Sequence, residues 1–251
     1  MVLTKLDKLF IEDPKRMDYG KGKLAFRYNV TPTQVINSRH KVRKYLMAQF
    51  NAANPVQPEV TKKRLFFDLE VSANIVFSWR IGRDVSLSPD DIIQERAIMC
   101  VCWKWEGSDE VHSLEWNKGD DKNLLTKFAK IIDSADEVLT QNGDAFDIKW
   151  LRARCIYHDI PVSPKFNSID TLKMARAGFK FNSNKLDYMG EYLGVGKKIK
   201  TEYSLWKDIT LNNCKVSMDK MVTYCKQDVI LLEKVYEKLK PYVPVKKFKY
   251  K

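Results

Sequence analysis

Cysteine and histidine are scarce in this chain of 251 residues, and no apolar run is long. The five cysteines are odd in number and form no CxxC pair, which argues against a disulfide framework and a structural zinc site. No stretch approaches the roughly 18–20 apolar residues that a membrane-spanning helix needs. The N-terminal residues contain no apolar signal-peptide segment. We therefore expect a cytoplasmic, reducing environment and no membrane partner.

Positive charge is abundant but unevenly spread, with a formal net charge of +12. Residues 1–64 hold 14 basic and 5 acidic side chains, and residues 238–251 hold six lysines and no acid. The segment between them has a small net negative charge of −3. Basic ends of this kind favour a polyanionic partner such as a nucleic acid, whereas the acidic groups between them need their own explanation.

The N-terminal part of the chain, residues 1–54, is predicted to be a basic helical segment. Thr31, Pro32 and Gln34 fit an N-cap, a first helical position and a capping box. The candidate nucleic-acid contacts on this helix are Arg39, Lys41, Arg43 and Lys44. A solvated basic face on a packing helix is the alternative that the pattern leaves open. Residues 55–63 hold two prolines among polar residues and are predicted to be a linker.

Residues 64–240 alternate between strand and helix patterns. Strands are predicted at 64–70, 97–103, 110–116 and 137–142, and helices at 120–134, 147–157, 184–193 and 217–240. This order predicts an α/β domain with a mixed sheet flanked by helices. The segment 83–91 is expected to be a loop at the sheet edge, and residues 241–251 a basic C-terminal tail.

The first predicted strand contains two carboxylates in an apolar setting. Asp68 and Glu70 are two residues apart, so their side chains leave the same face of the strand. Two carboxylates on one face repel each other and lose hydration unless a cation lies between them. The pattern therefore favours a metal site, although an exposed strand edge is an alternative for D-x-E alone.

Two later motifs add an amide, a phenol and two more carboxylates. Asn142, Phe146 and Asp147 follow a predicted strand, with Asp147 at the start of a helix, where an aspartate can also serve as a cap. Tyr224 and Asp228 are four residues apart in a long helix and therefore share a face. That face is the apolar side of the helix, so the carboxylate has either a ligand or a hydrogen bond from the phenol.

The ordered set D-x-E, N-x-x-x-F-D and Y-x-x-x-D over residues 64–240 resembles the DEDD exonuclease superfamily, which is DnaQ-like and has a ribonuclease H-like fold. The tyrosine in the third motif, in place of histidine, is that of its DEDDy subgroup. The region also looks like stand-alone phage-type exonucleases related to polymerase proofreading domains, which would place it in a host cytoplasm. This resemblance does not cover the basic N-terminal segment.

The resemblance implies two divalent ions, Mg²⁺ or Mn²⁺, held by four carboxylates. In the implied roles Asp68 bridges both ions, Glu70 and Asp228 support the ion that binds the attacking water, and Asp147 holds the second ion. Tyr224 would orient that water and help to deprotonate it. Oxygen ligands of this type suit hard cations.

The implied reaction is 3′-5′ hydrolysis of single-stranded nucleic acid, with DNA favoured, to nucleoside 5′-monophosphates. The implied partners are DNA or RNA 3′ ends and a DNA polymerase or replication protein. Asn142 and Phe146 are candidate substrate contacts, although a position in the core is the favoured interpretation of Phe146. The competing hypotheses are an exoribonuclease and an inactive module that only binds nucleic acid or a polymerase.

Overall fold

The computed structural model describes residues 3–53, 62–163, 167–243 and 248–249. The chain divides into two compact units, one within Met1–Thr61 and the other within Lys62–Lys251. Most of the predicted linker, residues 55–61, lies outside the described residues, as does part of the predicted tail. The domain boundaries drawn from the sequence therefore stay a prediction.

The N-terminal unit is built from helices. They are α1 (Lys5–Glu12), a 3₁₀ turn (Pro14–Asp18), α2 (Lys21–Tyr28) and α3 (Pro32–Ala53). The predicted capping box at the start of α3 is present: the Thr31 amide donates to Gln34 Oε1 at 2.7 Å, and the Gln34 amide donates to Thr31 Oγ1 at 3.2 Å. A small core that includes Phe10, Leu24 and Val42 holds the three helices together.

The second unit is organised around one mixed sheet. Its strands are β1 (Arg64–Val71), β4 (Ile98–Trp105), β5 (His112–Glu115), β6 (Glu137–Thr140), β7 (Asn167–Asp170) and β8 (Phe248–Lys249). Their order is β5-β4-β1-β6-β7-β8, with β1, β6 and β7 parallel and the other pairs antiparallel. A separate two-stranded ribbon is formed by β2 (Ile75–Val76) and β3 (Ile92–Gln94).

Helices cover both faces of the sheet. They are α4 (Lys122–Asp133), α5 (Asp147–Tyr157), α6 (Thr171–Gly178), α7 (Leu186–Tyr192), α8 (Tyr203–Asn212) and α9 (Lys215–Leu239). One apolar core joins α4 and α5 to the sheet, and the other joins α6 to α9 to its opposite face. This arrangement is the predicted α/β mixed sheet flanked by helices, with a small basic helical N-terminal extension.

The alternation of β1 decides where its carboxylates lie. Phe67 and Leu69 belong to the core under α4 and α5, whereas Phe66 packs against Tyr236 of α9. Asp68 and Glu70 follow Phe66 at two-residue steps, so they lie on the α9 side near the carboxyl end of the strand. No helix in the described part of the chain is both long and apolar enough to cross a membrane.

β2, β3, β7, β8 and α8 are not in the sequence prediction. β2 and β3 lie on either side of the predicted loop 83–91, which contains only a 3₁₀ turn at Pro89–Asp91, and β8 lies in the predicted C-terminal tail. β7 has only four residues, and its assignment depends on pairing with β6, which no local pattern reports.

Candidate active site

Asp68, Glu70 and Asp228 form a compact carboxylate cluster between β1 and α9. One carboxylate oxygen from each residue lies within 4.8 Å of those from the other two. Asp228 is buried, and Asp68 and Glu70 are partly buried. The strand period places the first two on one face, and the packing of α9 on that face brings the third to them. The structure thus gathers three of the four predicted metal ligands.

Asp147 lies beside this cluster because β1 and β6 separate. The two strands are paired from Arg64 to Phe66 on β1, and beyond that point the backbone amide of Leu69 donates to Asp147 Oδ1 at 3.1 Å. Asp147 is the first residue of α5 and is buried. Its carboxylate is therefore held against the strand segment that carries Asp68 and Glu70, but it is outside the three-carboxylate cluster.

The loop before Asp147 is fixed by a buried carboxylate on the last residue of β7. Asp170 accepts hydrogen bonds from the amides of Asn142 at 2.9 Å and Asp144 at 3.4 Å, and it also caps α6 through the amide of Leu172 at 2.9 Å. Asn142 has a left-handed φ of 64°. A Cβ at Gly143 would lie 2.1 Å from Thr140 Oγ1, so the loop takes this path only with glycine there.

Lys198 is a member of the site that the sequence prediction missed. Its Nζ donates to Asp228 Oδ2 at 2.6 Å and to the Tyr224 hydroxyl at 3.2 Å. Its backbone amide donates to Asp187 at 2.8 Å, which anchors the loop that carries it. Lys198 lies in a lysine-rich loop where a solvated cation is the ordinary interpretation, so no local signal marks it. Both residues of Y-x-x-x-D face this ammonium group.

The carboxyl groups of the site have raised pKa values. Burial, followed by the charge of Asp228, raises the pKa of Glu70 to about 8. Burial also raises the pKa of Asp147 to about 7, against the opposing hydrogen bond from Leu69. For Asp68, burial and the neighbouring carboxylates raise the pKa well above its ordinary value. The site therefore has too little positive charge to balance its carboxylates. A bound cation would lower the free energy needed to keep them ionised.

An oxygen at the cluster lacks a hydrogen-bond partner. Among the described residues no donor meets the geometry of a hydrogen bond to the buried Asp228 Oδ1, whereas Lys198 binds the other oxygen of the same carboxylate. Burial raises the pKa of Asp228, and the charge of Lys198 and the nearby Tyr224 hydroxyl oppose that rise. A buried carboxylate oxygen without a partner is costly. An oxygen-rich group of this kind, with carboxylates that repel one another, fits a divalent cation.

A cleft of about 460 Å³ opens beside the cluster. Asn142 and Lys198 both line it, together with Arg176 and Lys185. Phe146 is 39% exposed and contacts Trp150 edge to face, so the favoured assignment of Phe146 to the core is wrong. Asn142 and Phe146 are thus accessible on the loop that leads into Asp147. Their contact with nucleic acid stays a prediction.

The four predicted cations of α3 lie in the other unit and have different surroundings. Lys41 pairs with the buried Asp7 at 3.0 Å, and the Arg39 guanidinium donates to the carbonyl of Tyr19. Arg43 and Lys44 are exposed. Two of the four therefore stabilise the helical unit itself, and nucleic-acid binding by this set stays a prediction.

A second acidic group has a different character. Asp120, Asp121 and His158 also have potential ligand atoms within 4.8 Å of one another. The Asp121 carboxylate, however, accepts two hydrogen bonds from Arg154, each at 2.8 Å, and one from the Ile98 amide at 2.9 Å. His158 Nε2 lies 2.7 Å from its Oδ1. Its oxygens already have protein partners, so this group is a structural ion-pair network.

Comparisons with known proteins agree with the predicted fold class. The model of the RNase H superfamily matches residues 94–240, which is more than half of the chain and begins after Asp68 and Glu70. A DNA polymerase of Methanocaldococcus jannaschii is 26% identical over 141 residues, which are 53% of this chain and 8% of that protein.

A solved structure shares the fold. The family B DNA polymerase from the hyperthermophilic archaeon Pyrobaculum calidifontis superposes with a TM-score of 0.53 and 18% identity. The match covers 72% of this chain and 25% of that polymerase. The chain thus corresponds to only a small part of either polymerase.

Proposed function

Because the chain belongs to the RNase H superfamily, we propose that it is a two-metal-ion 3′-5′ exonuclease. This family agrees with the fold class predicted from the sequence. It would hydrolyse single-stranded nucleic acid from the 3′ end to nucleoside 5′-monophosphates. The observation that carries this proposal is the cluster of Asp68, Glu70 and Asp228 beside the Tyr224 hydroxyl. DNA is the proposed substrate because both similar proteins are named DNA polymerases.

The proposed ligands of the two ions, Mg²⁺ or Mn²⁺, are Asp68, Glu70, Asp147 and Asp228. When bound, such ions lower the pKa of a coordinated water and stabilise charge on the phosphate oxygens. The unpartnered Oδ1 of Asp228 supports this assignment, as do the raised pKa values of the other three carboxyl groups. Those groups gain more from a nearby cation than ordinary surface acids do.

Tyr224 is proposed to position the attacking water. Burial, followed by the charge of Asp228, raises the pKa of Tyr224 above its ordinary value, so the phenol keeps its proton at neutral pH. A protonated phenol can donate or accept a hydrogen bond but is a poor base. This supports the orienting part of the expected role and weighs against deprotonation by Tyr224. Lys198 is proposed to hold the phenol and Asp228 together.

The basic ends of the chain are proposed to supply the attraction for a phosphate backbone that the acidic site lacks. Association with a DNA polymerase or replication protein is a further proposal, supported by the similarity to two polymerases. An inactive binding module is the competing hypothesis. It gives no reason for a buried carboxylate oxygen to lack a partner.

The deciding experiment uses 5′-labelled single strands of DNA and RNA, incubated with Mg²⁺ or Mn²⁺ and, separately, with EDTA. We expect a ladder that shortens from the 3′ end, faster on DNA, with mononucleotide products and no reaction in EDTA. The absence of degradation with either ion would show that the chain is not a nuclease. Faster degradation of RNA would make it an exoribonuclease.

The two residues of Y-x-x-x-D should differ in their effect on rate. We expect Asp228→Ala to be the more damaging change, because it removes a proposed ion ligand and leaves Lys198 without its carboxylate partner. Tyr224→Phe should reduce kcat by less than the roughly 10²–10⁴-fold that a proton-transferring group contributes. Tyr203→Phe, at an exposed tyrosine of α8, is the matched control. The reverse order of the two effects would contradict an orienting role for the phenol.

Metal binding should release protons at neutral pH. Glu70, with a pKa of about 8, is mostly protonated there without metal, and Asp147, with a pKa of about 7, is half protonated. Bound carboxylates must be ionised, so Mn²⁺ displaces these protons. Calorimetric titrations in two buffers of different ionisation enthalpy measure the number released, which should fall between about pH 7 and pH 9. Equal heats in both buffers at about pH 7 would contradict the raised pKa values.

The same groups should make the metal-free protein less stable as pH rises. The pKa values in the folded state, about 8 for Glu70 and about 7 for Asp147, exceed the ordinary values of 4.5 and 3.8. Between the ordinary and the raised values, the folded state therefore binds more protons than the unfolded state. Stability therefore falls as pH rises from about 5 to about 8. Melting temperatures in EDTA measure this trend. Glu70→Gln should flatten it, since the amide does not titrate.

A further inference from the structure

Helix α2 of the N-terminal unit presents an aromatic ring to solvent. Phe26 is 92% exposed, although Leu24 and Ala25 of the same helix are buried in the core of that unit. The helical period places Phe26 and Lys23 on the side opposite the buried residues, with Arg27 one turn after Lys23. We call Lys23, Phe26 and Arg27 the α2 surface.

The charge around this ring is positive. α2 contains no acidic residue, and residues 14–28 contain five basic side chains and one acidic one. Neither Lys23 nor Arg27 forms an ion pair with any residue that the structure describes. Tyr19, four residues before Lys23, adds a second exposed ring. A cationic surface is complementary to a polyanion, and exposed aromatic rings suit the faces of unpaired bases.

The cations of α3, unlike those of the α2 surface, are partly bound to other groups of the protein. Lys41 is paired with Asp7, and Arg39 is bonded to the backbone of Tyr19, so much of the charge on that helix already has a structural use. Between positions 39 and 44, α3 has no Phe, Tyr or Trp, and its exposed ring there is the smaller imidazole of His40. The observations therefore favour α2 over α3 as the helix that contacts a ligand.

We propose that the α2 surface is an accessory binding site for single-stranded nucleic acid. Phe26 stacks on one base, and Lys23 and Arg27 contact neighbouring phosphates. The site lies in a different unit from the carboxylate cluster. It requires no metal and no cleavage, so it can be tested whether or not the chain is a nuclease.

The test measures binding of the full chain to a fluorescent oligothymidylate in EDTA by anisotropy, over a series of salt concentrations. We expect Phe26→Ala to weaken binding by about fivefold to a hundredfold, the range for loss of one stacked base. The double variant Lys23→Gln/Arg27→Gln should reduce the magnitude of the slope of log K against log salt by about 1.4, the value for two phosphates of a single strand. These side chains are exposed, so circular dichroism should show an unchanged fold.

The matched control is Arg43→Gln/Lys44→Gln, which removes two exposed cations from α3 of the same unit. Its effect on affinity and salt slope should be less than half that of the α2 pair. An abasic strand of equal length separates stacking from charge: Phe26→Ala should weaken binding to the thymidylate but not to the abasic strand.

Unchanged binding by Phe26→Ala, or an α3 pair with an effect equal to that of the α2 pair, would overturn the proposal. So would equal losses on the abasic and thymidylate strands. A surface made for a protein partner would give the first of these outcomes. Failure of the nuclease assay leaves all of these binding measurements unaffected.

Discussion

Asp68→Ala should abolish degradation of nucleic acid while leaving the fold intact. We expect a loss of at least about a thousandfold in rate, the upper end of the cost of removing one preorganised charge-stabilising group. Asp68 is the carboxylate that neighbours all the other three: the charges of Asp147, Glu70 and Asp228 each raise its pKa after burial has done so.

Asp68→Ala should not lower the stability of the metal-free protein, although it abolishes activity. The Asp68 carboxylate has only a weak contact with a protein donor, the Cys225 thiol at 3.6 Å, and it lies among three repelling acids. Its removal relieves that repulsion and breaks no strong hydrogen bond. The melting temperature in EDTA at about pH 9, above the pKa values of Glu70 and Asp147, should therefore be equal to or above that of the wild type.

Asp120→Ala is the control for Asp68→Ala, because Asp120 belongs to the other acidic group but is exposed. It should keep wild-type activity. Asp68→Asn, which preserves shape, serves if the alanine variant is unstable. Wild-type rates in both Asp68 variants would show that Asp68 is not a metal ligand, and the metal assignment would have to be abandoned.

Much of the site geometry follows from local periodicity. The two-residue step of a strand is sufficient to place Asp68 and Glu70 on one face, and the four-residue step of a helix places Tyr224 and Asp228 together. These steps depend only on the backbone conformation of each element. The structure has both pairs on the shared faces that the sequence predicts, with Lys198 bound to the second pair.

What the sequence could not supply depends on contacts between distant segments. The hydrogen bond from Leu69 to Asp147 joins residues 78 positions apart and exists because two strands separate after a short pairing. Lys198 reaches Asp228 from a loop 30 residues away. The pairing of Lys41 with Asp7 likewise needs the tertiary packing of α1 on α3. Composition and spacing carry no signal for any of these.

The two acidic groups illustrate the same limit. Both place carboxylates close together, but their partners differ: Asp228 keeps an oxygen with no hydrogen bond, whereas Asp121 is surrounded by donors. A count of acids would treat them alike. The two groups are distinguished by Arg154 and the Ile98 amide, which lie 33 and 23 residues from Asp121 in the chain. Their hydrogen bonds to Asp121 make its group a structural network rather than a candidate metal site.

Asp121→Ala should therefore destabilise the protein strongly without acting on the chemistry. Removing one partner of a buried ion pair costs about 3–5 kcal/mol in the free energy of unfolding, because the other charge is left unpaired. Here Arg154 would lose a two-hydrogen-bond carboxylate partner, and the Ile98 amide would lose its acceptor. Urea unfolding measures the loss, and Asp120→Ala should cost only about 1 kcal/mol, because the exposed Asp120 carboxylate accepts one hydrogen bond, from the Lys122 amide at the start of α4.

Two further measurements identify the mechanism of this loss. The double variant Asp121→Ala/Arg154→Met should regain part of the stability, since it removes the unpaired charge as well. Burial acts to raise the pKa of Asp121, but the bonds from Arg154, the Ile98 amide and His158 outweigh it and hold that pKa below its ordinary value of 3.8. The stabilisation from Asp121 is therefore complete above that value and is lost as pH falls below it. The stability difference between wild type and Asp121→Ala should narrow in acid, and a constant difference would contradict an electrostatic origin.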